Sequence, residues 1–113
     1  MKDKSVYIAT ALECIDLIED YTSGFTLESF LADRKTQDAV IRNLEVIGQA
    51  LKDFGIEVLT EKVPQIPWSQ VAGMRNILAH EYLGVDMVMI WDTVRLHVND
   101  LRQALKAIQI EVS

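Results

Sequence analysis

Apolar residues return along this chain every three to four positions, the period of an α-helix, almost from end to end. Between Val6 and Tyr21, the residues Ile8, Leu12, Ile15 and Ile18 form one stripe of a helix, and Ser23-Gly24 breaks it as a C-terminal glycine does. Thr26 is placed to cap a short turn carrying Leu27, Phe30 and Leu31. Asp33 is placed to cap a long second helix whose buried stripe is Val40, Leu44, Ile47 and Leu51, with Gly55 at its end. That helix covers about 20 residues, or about 30 Å at 1.5 Å per residue. Residues 55–67, GIEVLTEKVPQIP, read as a true loop containing Pro64 and Pro67, and Pro67 suits the opening of a third helix. Val71, Met74 and Leu78 mark the core face of that helix, and Leu83-Gly84-Val85 ends the segment. Asp86 can cap a fourth helix with the stripe Ile90, Trp91, Val94, Val98, Leu101, Leu105 and Ile108. The pattern predicts an all-α fold, a four-helix up-and-down bundle with a short extra helix.

Composition narrows what such a bundle does. The 113 residues leave room for one domain, taken as residues 1–113. Half of them are apolar, enough to bury a core and to exclude disorder as the dominant state. With 5 Gly and 2 Pro, the chain lacks the turn residues of a sandwich or small barrel. A formal charge of −6 opposes nonspecific wrapping of nucleic acid, so any such activity has to come from a local site. The single cysteine, Cys14, excludes an internal disulfide framework and fits a reducing compartment. The opening segment carries Glu13, Asp16, Glu19 and Asp20, too charged for a signal-peptide core and too interrupted to span a membrane. The expectation is a cytoplasmic protein without membrane association. Small bundles have marginal cores, and the third helix carries Ala72, Gly73 and Ala79 away from its deepest stripe. Small residues admit another backbone, which predicts a homodimer.

The functional side-chain types concentrate in Gly73-Met-Arg-Asn-Ile-Leu-Ala-His-Glu-Tyr82. At 100° per residue, Val71, Met74, Leu78 and Tyr82 fall within about 80° of one another. Asn76 and His80 lie nearly opposite, and Arg75 is about 140° from His80. Arg75 can reach across, the helix can loosen near His80, or a second subunit can complete the site. Spacing alone favours an ordinary solvated Arg and His or a local hydrogen-bond pair over catalysis. His80 and His97 lack neighbouring Cys or paired carboxylates, and there is no Glu-x-x-His pair or glycine-rich phosphate loop. No metal or cofactor is expected. Cys14, Trp68 and Trp91 read as core, and Met87-Val88-Met89 as core or interface.

Arg75, four residues, His80, one residue and Tyr82 resemble the Arg-x(4–6)-His-x-Tyr motif of HEPN-domain proteins, in particular the HepT-like toxins. Arg42-Asn-Leu-Glu-Val-Ile-Gly-Gln-Ala50 resembles that family's second-helix signature, and Pro64-Gln-Ile-Pro-Trp68 its lead into the catalytic helix. The similarity runs from about residue 6 to the end of the chain. Gln49 departs from the pattern, standing where many relatives carry Glu. The resemblance implies a metal-independent ribonuclease toxin, homodimeric, partnered by a minimal nucleotidyltransferase antitoxin of the MntA-like kind. It implies catalytic Arg75 and His80, support from Asn76 and Tyr82, and AMP transfer to Tyr82 as the means of neutralisation. Arg42, Arg34 and Lys35 would add RNA-binding charge if they converge. The competing reading is a non-catalytic helical module that binds a nucleotidyltransferase.

Overall fold

The computed structural model describes residues 3–80 and 85–112, the side chains of Ile77, Ala79 and His80 excepted. Among the described residues every regular element is helical: α1 (Ser5–Thr22), α2 (Leu27–Leu31), α3 (Arg34–Phe54), α4 (Ile56–Lys62), α5 (Trp68–His80), α6 (Met87–Leu96) and α7 (Val98–Val112). The frame is the α1–α3 pair. On it α5 packs against α3, and α7 packs against α1. The four arms of the bundle are therefore α1, α3, α5 and the α6–α7 arm.

The apolar stripes explain this frame. Ile8, Ile15 and Ile18 of α1 meet Val40, Leu44, Ile47 and Leu51 of α3 in one buried cluster, which Leu101, Leu105 and Ile108 of α7 complete. Each such side chain contributes about 1.5–3 kcal/mol relative to exposure, whereas a helix cap contributes about 1 kcal/mol. The core therefore decides the architecture and the caps decide where helices begin. Thr26 and Ser29 form a reciprocal capping box on α2, and the Asp33 carboxylate accepts from Thr36 N–H at 3.0 Å to open α3. Asp86 accepts from Val88 N–H at 2.9 Å at the start of α6. Gly24 and Gly55, at φ +78° and +123°, make the two turns that the broken patterns predict.

Two expectations need correction. The segment 55–67 is not all loop: its first half is α4. Ile56 packs against the core and Leu59 is fully buried in it, while Glu57 and Lys62 suit the two ends of the helix dipole. The β-branched Ile56, Val58 and Thr60 conceal this helix from propensity, and burial of Leu59 overrides them. The fourth helix is also not continuous, because it breaks at His97 into α6 and α7. One turn earlier the Thr93 hydroxyl donates to Met89 O at 2.9 Å, a back-bond that bends helices. The bend lets α6 lie on α2, where the Phe30 and Trp91 rings stand 5.2 Å apart, while α7 returns to α1.

Trp68 and Trp91 are packing anchors as read, and Cys14 is core. Trp68 is 1% exposed and donates its indole N–H to Val63 O at 2.8 Å, which ties the proline-bounded turn to α5. Of the Met87-Val88-Met89 run only Met87 packs on the core, and Met89 is 63% exposed. Buried Gln37 escaped the sequence reading. Its amide donates to Phe30 O and Leu31 O, finishing α2 from within α3. Among the described residues, no helix is long and apolar enough to cross a membrane.

Candidate functional site

Two stripes run side by side along α3. Val40, Leu44, Ile47 and Leu51 enter the core, and next to them Arg42, Glu45, Gln49 and Asp53 follow the same helical spacing. This polar stripe, Tyr7 and Thr10 of α1, and Arg75 of α5 line a cleft of about 500 Å³.

Arg75 reaches this cleft because α5 lies close on α3. A Cβ added at Gly48 would stand 3.1 Å from Ala72 O and 3.2 Å from the Arg75 Cβ. Glycine at 48 is what permits the approach, and the approach sets the root of the Arg75 side chain. The guanidinium is then turned by its neighbour, Arg75 Nη1 donating to Asn76 Oδ1 at 2.9 Å. Asn76 thus orients Arg75, a role the sequence did not suggest.

The electrostatics of the cleft are balanced. Arg42 Nη1 lies 4.0 Å from Glu45 Oε2, and Gln49 Nε2 donates to Asp53 Oδ1 at 2.9 Å. Among the described residues, Arg42 and Arg75 line the cleft together with Glu45 and Asp53, so it offers donors for an anion beside an equal number of carboxylates. The acid absent at Gln49 is present one turn later as Asp53, bonded to that glutamine.

The structure brings together part of the expected site. Arg42 and Arg75 share the cleft. Arg34 and Lys35 do not join them. They open α3, and Arg34 lies 14 residues before Gly48, about 21 Å along the axis, paired with Asp38 at 3.5 Å. His80 is the last residue of α5, and its side chain lies outside the described residues, as does Tyr82 altogether. Since α5 is helical through His80, the separation of about 140° from Arg75 applies to its backbone. Sequence reasoning missed Tyr7, Thr10, Glu45 and Asp53. The spacing of 42, 45, 49 and 53 beside the buried stripe is the signal that could have found the α3 members.

The small residues of α5 divide. Ala72 faces Gly48 within the same chain, whereas among the described residues nothing lies within 4 Å of a Cβ built at Gly73. On its other flank, α5 leaves a second cleft of about 520 Å³ toward α7. Val71 and Met74 line it with Ile47, Val98 and Leu101, and they are half-buried rather than core. Among the described residues, no three His, Cys, Asp or Glu side chains gather as metal ligands.

The fold is an all-helical bundle, and comparison with known proteins gives its family. Residues 11–108 match the family described as ribonuclease HepT-like, and the chain belongs to that family. It is 43% identical over 96 residues to a protein of Thermococcus cleftensis named "Probable ribonuclease HepT", covering 85% of this chain and 86% of that one. A Methanocaldococcus jannaschii protein named as a "Putative RNase" is 43% identical over 103 residues, 90% of this chain and 84% of that one. A second protein of that organism, named as a "Gamma-glutamylcyclotransferase and putative RNase", is 40% identical over 111 residues. That match covers 98% of this chain but only half of the longer relative. No solved structure matches the chain significantly.

Proposed function

We propose that this protein is the toxin of a two-component toxin–antitoxin system, a metal-independent endoribonuclease whose catalytic groups are Arg75 and His80. Membership of the HepT-like ribonuclease family supports the activity. The observation that carries the site is the close α3–α5 contact at Gly48, which roots Arg75 beside a cleft that also holds Arg42. In the reaction, a 2′-hydroxyl oxygen attacks the adjacent phosphorus and the P–O5′ bond breaks. Imidazole, with a pKa near neutral, suits removal of the 2′ proton or delivery of a proton to the leaving 5′-oxygen. The planar guanidinium of Arg75 suits the phosphate oxygens as charge develops on them. The products are a 2′,3′-cyclic phosphate and a 5′-hydroxyl. The protein acts as a homodimer, with the third arms of two bundles meeting across a two-fold axis, and resides in the cytoplasm.

The partner is a minimal nucleotidyltransferase that neutralises the toxin. The Tyr82 hydroxyl attacks the α-phosphorus of ATP, pyrophosphate leaves, and the tethered AMP then competes for the phosphate site. Tethered groups reach effective concentrations of about millimolar, enough to occupy a modest site.

The test is cleavage of RNA in chelator. Arg75→Ala or His80→Ala should lower the rate by about 10²–10⁴-fold with the fold intact. Wild-type rates in the double variant, or a 5′-phosphate product, would remove this site from the mechanism. Intact-mass spectrometry after incubation with partner and ATP should show AMP on wild type and none on Tyr82→Phe. Inhibition without ATP would replace modification by simple occlusion. The charge of −6 and the balanced cleft favour one second reading, a non-catalytic module that binds the nucleotidyltransferase. Absence of cleavage together with tight partner binding would select it.

A further inference from the structure

We propose that the cleft between α1 and α3 is a single-nucleotide site, in which one base stacks on the Tyr7 ring while its phosphate takes the Arg42 and Arg75 guanidiniums. The proposal rests on the ribonuclease reading and adds the form of its substrate, an unpaired strand admitted one nucleotide at a time.

Three features of the cleft lead there. Its volume, about 500 Å³, falls within the range of about 300–1,000 Å³ typical of small-molecule sites and does not accommodate a duplex. Its charge is suited to one phosphate. The two guanidiniums can hold one anion, but Glu45 and Asp53 on the same wall repel a second, and the chain as a whole carries −6. Affinity for a strand therefore cannot come from neutralising a run of phosphates, the usual source for nucleic-acid binders. The remaining source is the base, whose π-face stacks on aromatic side chains whatever its identity.

Tyr7 is the one aromatic side chain lining the cleft among the described residues. It is half-buried and packed against the core from the first turns of α1, so its ring is held in place before any ligand arrives. Preorganisation of that kind lowers the entropy lost on binding. Gln49, bonded to Asp53, also lines the cleft, and its amide oxygen is a group a base edge could use. By contrast Tyr21, the other described tyrosine, lies at the far end of α1 and outside the cleft.

The direct test is binding of uridine 3′-monophosphate by calorimetry, with inorganic phosphate as the second probe. Tyr7→Leu, which keeps an apolar group of useful size, should weaken nucleotide binding about 5- to 150-fold, the usual value of one stacked base. The same substitution should leave inorganic phosphate binding unchanged, and Tyr7→Phe should bind the nucleotide like wild type. Arg42→Ala should weaken both probes. With a 2′-O-methylated oligouridine, which cannot be cleaved by 2′-hydroxyl attack, log affinity should fall against log salt with a slope of about −0.7, the value for one phosphate. Nucleotide binding unaffected by Tyr7→Leu, no nucleotide binding by wild type, or a slope several times steeper would each overturn the proposal. The two readings fail separately. RNA cleavage with the same KM in Tyr7→Leu overturns the nucleotide site and leaves the ribonuclease. Tyr7-dependent nucleotide binding in a protein that cleaves nothing leaves the site and overturns the ribonuclease.

Discussion

Replacing Gly48 and Gly73 by alanine, one at a time, separates helix propensity from helix packing at the site. Both glycines sit in helix interiors, where Gly→Ala ordinarily stabilises by about 0.5–1 kcal/mol. Among the described residues of the protomer nothing lies within 4 Å of a Cβ at Gly73, so Gly73→Ala should show that gain in the protomer's own stability. At Gly48 the new methyl meets Ala72 O at 3.1 Å, Arg75 Cβ at 3.2 Å and Arg75 N at 3.4 Å. Two of these atoms belong to the backbone of α5, so relief requires moving a helix rather than turning a side chain. Overpacking of this kind costs about 1–3 kcal/mol, which outweighs the propensity gain. The two variants should therefore differ by about 1–3 kcal/mol in urea unfolding, with Gly48→Ala the less stable. Because the methyl presses on the root of Arg75, ribonuclease activity should fall in Gly48→Ala beyond what the unfolded fraction explains. Equal stabilisation by both alanines would refute the claim that Gly48 sets the α3–α5 spacing. Destabilisation by Gly73→Ala that grows on dilution would instead place Gly73 in a subunit contact.

Arg102 of α7 clamps two acids of α1, donating to Glu19 Oε1 at 2.6 Å and Asp16 Oδ1 at 3.0 Å. The Arg102 hydrogen bond holds the Glu19 carboxyl below its ordinary value, so its contribution is full above that value and lost as pH falls through the lowered one. Since Glu19 is half exposed, the effect is about 0.2–1 kcal/mol, and Arg102→Met should flatten the acid limb of a melting curve measured against pH. An unchanged acid limb would assign that pH dependence elsewhere. Burial pushes the Cys14 thiol up and shields it, so a thiol reagent at mildly alkaline pH should label the native protein only as fast as it opens. Labelling at the rate of a free thiol would contradict the packing of α1.

The sequence was most informative where one physical cause acted alone. The stripes of α1 and α3 follow from burial on one face, and Asp33, Asp86 and Thr26 follow from unpaired helix N–H groups. It was least informative where tertiary contact overrode local preference. The burial of Leu59 makes α4 from β-branched residues, and the need to reach both α2 and α1 divides α6 from α7. The site divides in the same way. Arg75 and His80 stand out through a linear motif, and Arg42 through its place in the second-helix signature. Tyr7 and Arg75 are 68 positions apart, and only the close passage of α3 between α1 and α5 brings them to one cleft. Gly48 is the link. Its meaning is an absent side chain, which no apolar or polar pattern registers.

Helix geometry leaves the placement of the proposed catalytic pair, Arg75 and His80, open to a decisive experiment. Five residues of α-helix turn the side-chain direction by about 140°, so one regular α5 does not aim Arg75 and His80 at the same phosphate. In a dimer whose two copies of this helix meet at the two-fold axis, the Arg75 of one protomer can face the His80 of the other. Mixing two inactive variants tests this. When Arg75→Ala and His80→Ala protomers exchange at equal amounts, about half the dimers are mixed. If the site spans the axis, each mixed dimer holds one site with both residues replaced and one site with both intact. Activity should then recover to about a quarter of wild type, since half the dimers carry one of two sites. If both residues act within one protomer, every site in the mixture lacks one of them and nothing recovers. The controls are the separate variants, and subunit exchange has to be verified by mass spectrometry of tagged protomers. Silence from a mixture shown to have exchanged would sink the shared Arg75–His80 site and require the long Arg75 side chain to reach around its own helix.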